Sequence, residues 1–476
     1  MNVMENKYIL SDTVDKYINF MKQTFIHVLL FGFMLSGAVC PEVYADNMEP
    51  EGNVPVLDAT EAEKNRGRSG DSSWSMPSRL TLGGYGEAVM SRNFYSSNPF
   101  RYMYPESYKK DPGHGRFDLP HVVFFVGYEL GKGWRMNAEI EFEHGGVEAA
   151  MEVEPEEGGE YEQEIERGGE VALEQFWIEK TFNRSLNLRM GHIIVPVGLT
   201  NGNHLPTQFF TVYRPEGENT IMPCTWHETG ISLWGFLGKD WRYEAMLLPG
   251  LDSEFFNNRN WIKGGSASPY EFKIANTYAG AFRVDNYSVP GLRLGISGYY
   301  GHSFRNSLMP SYADKYDKVK GAVSIGSFDF EYNRHNWIAR GYFDYGHLGD
   351  AKTISIYNRG LPKASPSPKT HIATEALCYG AEAGYDIFSR FQKLKQDHQK
   401  LYLFGRYEYY DSMFKTAEGI QDPDWCQRQI VTAGVNYFPT KDIVIKAQYS
   451  AGIMKDPFMN ENSLSIGVAY AGFFTK

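Results

Sequence analysis

The stretch Trp134-Arg135-Met136-Asn137-Ala138-Glu139-Ile140-Glu141-Phe142-Glu143 decides the fold class. Trp134, Met136, Ala138, Ile140 and Phe142 fall on one side of an extended chain, and Arg135, Asn137, Glu139, Glu141 and Glu143 on the other. Side chains alternate across a strand with a period of two, so this run predicts a β-strand with one apolar and one charged face. A half-exposed strand of a soluble sheet would read the same way. The pattern recurs too often for that. Leu292, Leu294 and Ile296 alternate with Arg293 and Ser297, and Ile443, Ile445, Ala447 and Tyr449 with Lys446 and Gln448. Leu377, Tyr379, Ala381, Ala383 and Tyr385 alternate with Glu382 and Asp386, and Leu464, Ile466, Val468 and Tyr470 with Ser465, Gly467 and Ala469.

Working outward from that segment, strands are predicted at 79–92, 116–130, 132–145, 170–182, 185–195, 226–237, 239–248 and 275–286. The series continues at 291–303, 317–331, 334–347, 375–390, 400–412, 426–438, 442–453 and 462–474. That is sixteen, and single-chain bacterial outer-membrane barrels have even strand numbers. Tight turns are expected at Gly131-Lys132, Asn183-Arg184, Gly238-Lys239, Val289-Pro290-Gly291, Asn333-Arg334 and Pro439-Thr440-Lys441, with a longer turn at 391–399 that can hold a short helix. Long connections at 93–115, 146–169, 196–225, 249–274, 304–316, 348–374 and 413–425 alternate with them. Short periplasmic turns in phase with long outer loops are the outer-membrane arrangement, and a soluble sandwich has no reason to keep that phase. The predicted fold is therefore an all-β, 16-stranded antiparallel transmembrane barrel over residues 79–476, located in the bacterial outer membrane, with both termini on the periplasmic side.

Composition agrees. Aromatic residues make up 15% of the 476, with 32 Tyr, 31 Phe and 9 Trp, and there are 48 Gly. The mean hydropathy is −0.42. A helical membrane bundle is excluded, because each span needs about 20 consecutive apolar residues, whereas only alternate residues of a barrel strand face lipid. A net charge of −11 argues against nucleic acid as a partner, since phosphate recognition needs a basic face.

At the N-terminus, Met21-Lys22, an apolar run from Phe25 to Val39, and Val43-Tyr44-Ala45 read as a basic start, a hydrophobic region and a small-residue cleavage site. Residues 1–45 are thus expected to be a signal peptide, with Met21 the natural start, and 46–78 a flexible periplasmic lead-in. Cys40 leaves with the signal. Cys224, Cys378 and Cys426 remain, an odd number that cannot form a closed disulfide framework.

Several stretches resemble the phosphate-selective porin O and P family of outer-membrane channels. They begin with Gly83-Gly84-Tyr85-Gly86-Glu87, Glu139-Ile140-Glu141-Phe142-Glu143-His144 and Glu174-Gln175-Phe176-Trp177-Ile178-Glu179. Met190-Gly191-His192, Pro196-Val197-Gly198, Asn201, His204, Pro206-Thr207, Arg214-Pro215, Glu218, Pro223, Thr225-Trp226, Glu228, Gly230 and Gly250-Leu251-Asp252 follow. The family's Glu in its His-Glu-Pro-Thr stretch is Leu205 here. The resemblance covers about residues 80–260 and implies a trimeric diffusion channel. It further implies an outer loop, 196–225, that folds inward to narrow the pore. The loop's own residues favour this: Gln208-Phe209-Phe210-Thr211-Val212-Tyr213 would be a misplaced apolar cluster if solvated.

The expected constriction residues are Asn201, His204, Arg214, Glu216 and Glu218, and the expected lumen-lining residues are Arg135, Glu139, Glu141, Arg189, Arg293, Arg340, Arg406, Glu408 and Lys446. Interleaved signs of charge predict weak ion selectivity. The acidic loop 146–169 carries Glu148, Glu152, Glu154, Glu156, Glu157, Glu160, Glu162, Glu164 and Glu166, with Glu170 at its end, and reads as a solvated rim that repels anions at low salt. No catalytic residue, metal site or cofactor is expected. His204 and the His227-Glu228 pair lack HExxH spacing, there is no CxxC pair, and no GxSxG elbow occurs. The outward aromatics Trp134, Tyr243, Tyr299, Tyr300, Trp337 and Tyr345 read as an interfacial girdle. The expected function is a porin passing small hydrophilic solutes or ions, including phosphate or other anions. The expected partners are those solutes, outer-membrane lipid and lipopolysaccharide, and further copies of the chain in a homotrimer. The competing reading is a non-conducting surface protein or adhesin built on a barrel.

Overall fold

The computed structural model describes residues 79–475 apart from 145–149, 156–160, 167–170, 269–271 and 308–315. The expected signal peptide and the lead-in lie outside the described residues. The strands are β1 (Leu80–Asn93), β2 (His114–Asp118), β3 (His121–Gly131), β4 (Trp134–Glu143), β5 (Ala150–Pro155), β6 (Tyr161–Glu166), β7 (Val171–Asn183), β8 (Leu186–Ile194) and β9 (His227–Leu237). They continue as β10 (Trp241–Pro249), β11 (Tyr278–Asn286), β12 (Leu292–His302), β13 (Ala322–Arg334), β14 (Trp337–Leu348) and β15 (Glu375–Asp386). The series ends with β16 (Lys400–Lys415), β17 (Gln427–Thr440), β18 (Ile443–Ile453) and β19 (Ser463–Phe473). Among the described residues, four short α-helices join them: α1 (Pro105–Tyr108), α2 (Glu216–Ile221), α3 (Ala351–Arg359) and α4 (Gln392–Gln396), the last inside the longer turn where the sequence allowed one.

Consecutive strands pair antiparallel, and β1 pairs with β19 on one side and with β2 and β3 on the other, which closes the ring. The sheet has 17 segments, of which β2 and β3 share one stave, so the barrel has sixteen. That stave is broken at Leu119-Pro120, where proline removes a ladder donor and the register against β1 shifts by one residue. In the acidic loop, β5 and β6 form a separate two-stranded hairpin.

Alternation in sequence becomes alternation in burial. Along β4, Trp134 and Ile140 are exposed while Arg135, Asn137, Glu139 and Glu141 are buried. Ile296, Leu403, Leu464, Ile466 and Val468 are likewise exposed on the outer face. A soluble protein does not leave a continuous apolar belt in water, and closure leaves no unpaired strand edge. Only a closed barrel satisfies every strand's backbone groups within lipid, so the chain spans a membrane as an outer-membrane β-barrel.

Two local expectations need correction. The turn expected at Asn333-Arg334 lies at His335-Asn336, where φ is 56° and 63°. Two successive left-handed residues match the strand twist in a two-residue hairpin turn, and Asn tolerates that backbone. Tyr299 is not in the outward girdle. Adjacent residues of a regular strand point to opposite faces, and Tyr300 takes the outer one. Tyr299 points inward and packs on Trp226 with ring centroids 4.9 Å apart. The outer half of the interior holds a hydrophobic cluster that includes Ile193, Trp226, Leu251, Phe256, Trp261 and Ile354, contributed jointly by strands and outer loops.

Candidate functional site

The loop between β8 and β9 folds inside the barrel. Asn201 fastens its two ends together: Nδ2 donates to the carbonyl oxygens of Val195 at 2.5 Å and Trp226 at 3.2 Å, and Oδ1 accepts from the Trp226 N–H. Glu218, in α2, accepts from the N–H groups of Leu199 and Thr200, both at 2.7 Å. Burial pushes the Glu218 carboxyl well above the ordinary carboxylate range, against those two donors. Between these fixings, the apolar run 208–213 lies against the inner wall. Phe210 stacks on Phe404 at 5.2 Å, and its carbonyl accepts from Asn436 Nδ2 at 3.0 Å. Lys446 Nζ donates to the carbonyl oxygens of Phe209 and Thr211, and Gln448 Oε1 accepts from the Val212 N–H at 2.7 Å. An unsatisfied buried backbone group costs about 1–3 kcal/mol, so these polar wall residues are what allow a loop to lie there.

The wall itself is organised by register. Arg293 faces Glu331, Glu331 faces Arg340, Arg340 faces Glu382 and Glu382 faces Arg406 across successive strands β12 to β16. The short turns at the periplasmic end set those registers, so opposite charges meet directly. Arg340 Nη1 and Arg406 Nη1 each lie 2.8 Å from a Glu382 oxygen, and Arg406 Nε lies 2.9 Å from Glu408 Oε2. A second ladder runs Arg135–Glu179–Arg189 over β4, β7 and β8, with contacts of 2.6 and 2.9 Å. Arg283 and Arg293 converge on Asp329 at 2.9 and 2.5 Å.

All nine residues expected to line the lumen thus point inward, but most are engaged with the opposite charge or with the loop. A cavity of about 90 Å³ remains between the loop and the wall formed by β16 to β19. Its charged lining is Arg214, Glu216, Glu408, Arg428 and Glu461. Glu216 accepts from the Tyr410 hydroxyl at 2.8 Å. Arg428 and Arg101 pair with Glu461. Arg214 donates from Nη1 to Thr225 Oγ1 at 3.3 Å, while its Nε and Nη2 have no hydrogen-bond partner.

Of the five expected constriction residues, Arg214 and Glu216 border this cavity. Asn201 and Glu218 instead hold the loop together. His204 is turned toward Tyr85 of β1 and Glu174 of β7, where burial pushes its imidazole below the ordinary value and Glu174 opposes the shift. Sequence reasoning missed Glu461 and Arg428, which sit next to the cavity from strand and loop ends. It also missed Glu174, whose position depends on a local irregularity of β7.

No protein-family model matches the chain. A protein of Aquifex aeolicus (strain VF5), described as uncharacterized, is 28% identical over 391 residues, which is 80% of this chain and 78% of its own length. Among solved structures, an anion-selective porin from Comamonas acidovorans aligns at 9% identity over 83% of this chain and 99% of that one, with a TM-score of 0.47. The outer membrane channel DcaP of Acinetobacter baumannii aligns at 9% identity over 83% of this chain and 97% of its own, with a TM-score of 0.45.

Proposed function

We propose that this chain is an outer-membrane porin through which small hydrophilic solutes diffuse passively, with a modest preference for anions. The observation that carries the reading is the loop 196–225, folded into the lumen so that the Arg214 guanidinium, which donates only from Nη1, borders a cavity of about 90 Å³. A fixed guanidinium in a narrow, low-dielectric passage attracts anions, and its planar donor fork suits phosphate or carboxylate. The other lumen arginines contribute little field because carboxylates oppose them. The resemblance to phosphate-selective porins supports the same solute class and a homotrimer. The test is a planar-bilayer recording of the purified protein, together with a variant lacking 203–213. Discrete steps that grow several-fold on deletion support the reading. A correctly assembled deletion variant with unchanged conductance defeats the loop's role.

A second reading has an observation in its favour. Lys446, Glu382 and Arg406 are no more than 6% exposed beneath the loop, which is the packing of a plugged barrel. A non-conducting surface protein would give no steps with or without solute, and the same recording separates the two.

A further inference from the structure

We infer that Glu139, Glu174 and His204 form a binding site for a divalent transition-metal ion that ties the inner loop to the barrel wall. One ligand atom from each of the three residues lies within 4.8 Å of the others, and all three residues are buried. They come from three separate elements: β4, β7 and the loop 196–225. Two atoms each about 2.1 Å from one ion can be at most about 4.2 Å apart, so rotations of a few tenths of an ångström would close the shell. His204 Nε2 and Glu174 Oε1 are 3.9 Å apart, already inside that limit.

Three independent features aim these groups at a common point. First, Glu139 pairs with Gln175 and Ile140 with Leu173, so Glu174 is the extra residue of a β-bulge. The bulge turns Glu174 and Gln175 both inward, and re-aiming a side chain is what bulges do beside sites. Second, His204 Nδ1 sits 3.1 Å from the Asn201 carbonyl oxygen. A ring N–H donated there places the lone pair on Nε2, toward Glu174, and a backbone carbonyl behind a histidine is the usual support of a metal ligand. Third, Glu174 is fully buried. The Tyr85 hydroxyl donates to its Oε2 at 3.1 Å, but its Oε1 has no hydrogen-bond partner. A carboxylate oxygen and an imidazole lone pair facing one another across 3.9 Å repel unless something electropositive lies between them.

The donor set selects the ion. One imidazole and two carboxylates suit zinc or a neighbouring first-row ion, whereas calcium and magnesium take oxygen ligands alone. With three protein ligands the remaining position would hold water. The consequence is structural: the ion would fasten the loop at His204 to β4 and β7, apart from the Lys446 pin on β18. The site is independent of whether the barrel conducts.

The experiment is equilibrium dialysis of the refolded barrel in detergent against zinc, with folding checked by heat-modifiable gel mobility. Cobalt is then substituted, and its visible absorption reports an imidazole in the shell. One zinc per chain is expected, weakened at least tenfold in both Glu174→Gln and His204→Gln, with the cobalt spectrum changed in His204→Gln. Absence of stoichiometric zinc in the folded wild-type protein overturns the inference. So does binding that survives both substitutions. A neighbouring group of His121, Glu141 and Glu143 offers ligand atoms within the same distance. Zinc lost in His121→Gln but kept in His204→Gln would place the ion there and overturn the assignment to the loop.

Discussion

Lys446, on β18, donates to the carbonyl oxygen of Thr211, on the inner loop, at 2.7 Å. The same ammonium reaches the Phe209 carbonyl at 2.9 Å and lies 4.1 Å from the Phe209 ring centroid. A residue that the sequence offers as a lumen charge is therefore a pin for the loop. Substituting Lys446→Met keeps the length of the side chain and leaves two buried carbonyls without donors. Such a loss costs about 2–6 kcal/mol. The temperature at which the folded band converts on a heat-modifiable gel is expected to fall, and the inner loop to become cleavable by protease. A loop that stays protected in Lys446→Met would show that the apolar contacts of Phe210 suffice.

The outer face is tested by Ile140, which is exposed on β4, against Glu141 beside it, which is buried. Ile140→Arg places a charge in the apolar belt and is expected to cost about 2–4 kcal/mol near the bilayer midplane, read by urea unfolding in lipid vesicles. The sequence suggests that Glu141→Arg would be mild, because a lumen residue sits in water. The structure revises that. Glu141 is 4% exposed, in the same field of charges as Arg214. A guanidinium there would replace a buried carboxylate that favours Arg214 with a like charge, so Glu141→Gln is the mild substitution and Glu141→Arg is not.

The strands were legible because a barrel repeats one simple rule, in which every second residue meets lipid. Trp134 to Glu143 and Leu464 to Tyr470 state that rule without exceptions. Elements that break it were not legible. Proline at 120 splits a stave that the sequence reads as one continuous strand, 116–130, and the bulge at Glu174 turns two successive side chains inward with no distinctive residue pattern around it. Ion pairing was hidden for a different reason. Arg340 and Glu382 are 42 residues apart, and only the register of β14 against β15 brings them face to face. A list of lumen residues with their signs therefore overstates the free charge in the lumen. His204 was set aside for the same cause: its neighbours Glu139 and Glu174 are distant in sequence and meet it only after the loop has folded inward.

Asp252, in the outer loop after β10, gives a pH-dependent prediction. Burial raises its carboxyl from 3.8 to about 7, although it accepts from the Glu254 N–H at 2.9 Å and the Ser307 hydroxyl at 2.8 Å. An acid whose folded value is raised contributes stability below its unfolded value and loses it as pH rises through the folded one. That loss spans 3.8 to about 7. Asp252→Asn keeps an acceptor oxygen and cannot ionise. The wild-type protein is expected to lose thermal stability relative to Asp252→Asn between about pH 4 and about pH 8. Parallel pH profiles for the two proteins would mean that this carboxyl titrates as it does in the unfolded chain.

In the proposed porin, selectivity rests on Arg214. Its Nε and Nη2 have no hydrogen-bond partner, whereas Arg135, Arg189, Arg293, Arg340 and Arg406 all lie within 4 Å of a carboxylate. An opposed charge cancels much of its neighbour's field a few ångströms away, so a guanidinium on which Glu174 and Glu141 act without a direct ion pair outweighs several directly paired ones at the cavity. Pro215 holds the Arg214 backbone to extended conformations, which keeps the side chain aimed. The acidic loop 146–169, which the sequence reads as a solvated rim, would act in the opposite sense, and such a rim is screened beyond about 8 Å at physiological salt. Zero-current potentials across a salt gradient are therefore expected to show a modest anion preference that grows as salt rises toward that screening. Arg214→Glu is expected to reverse the sign of the potential, and Arg214→Gln to bring it near zero. Arg340→Gln would leave Glu382 with Arg406 alone and is expected to change the potential less than either. If Arg340→Gln and Arg214→Gln shift it equally, the field at the cavity is a sum over the whole wall, and Arg214 has no special part in it.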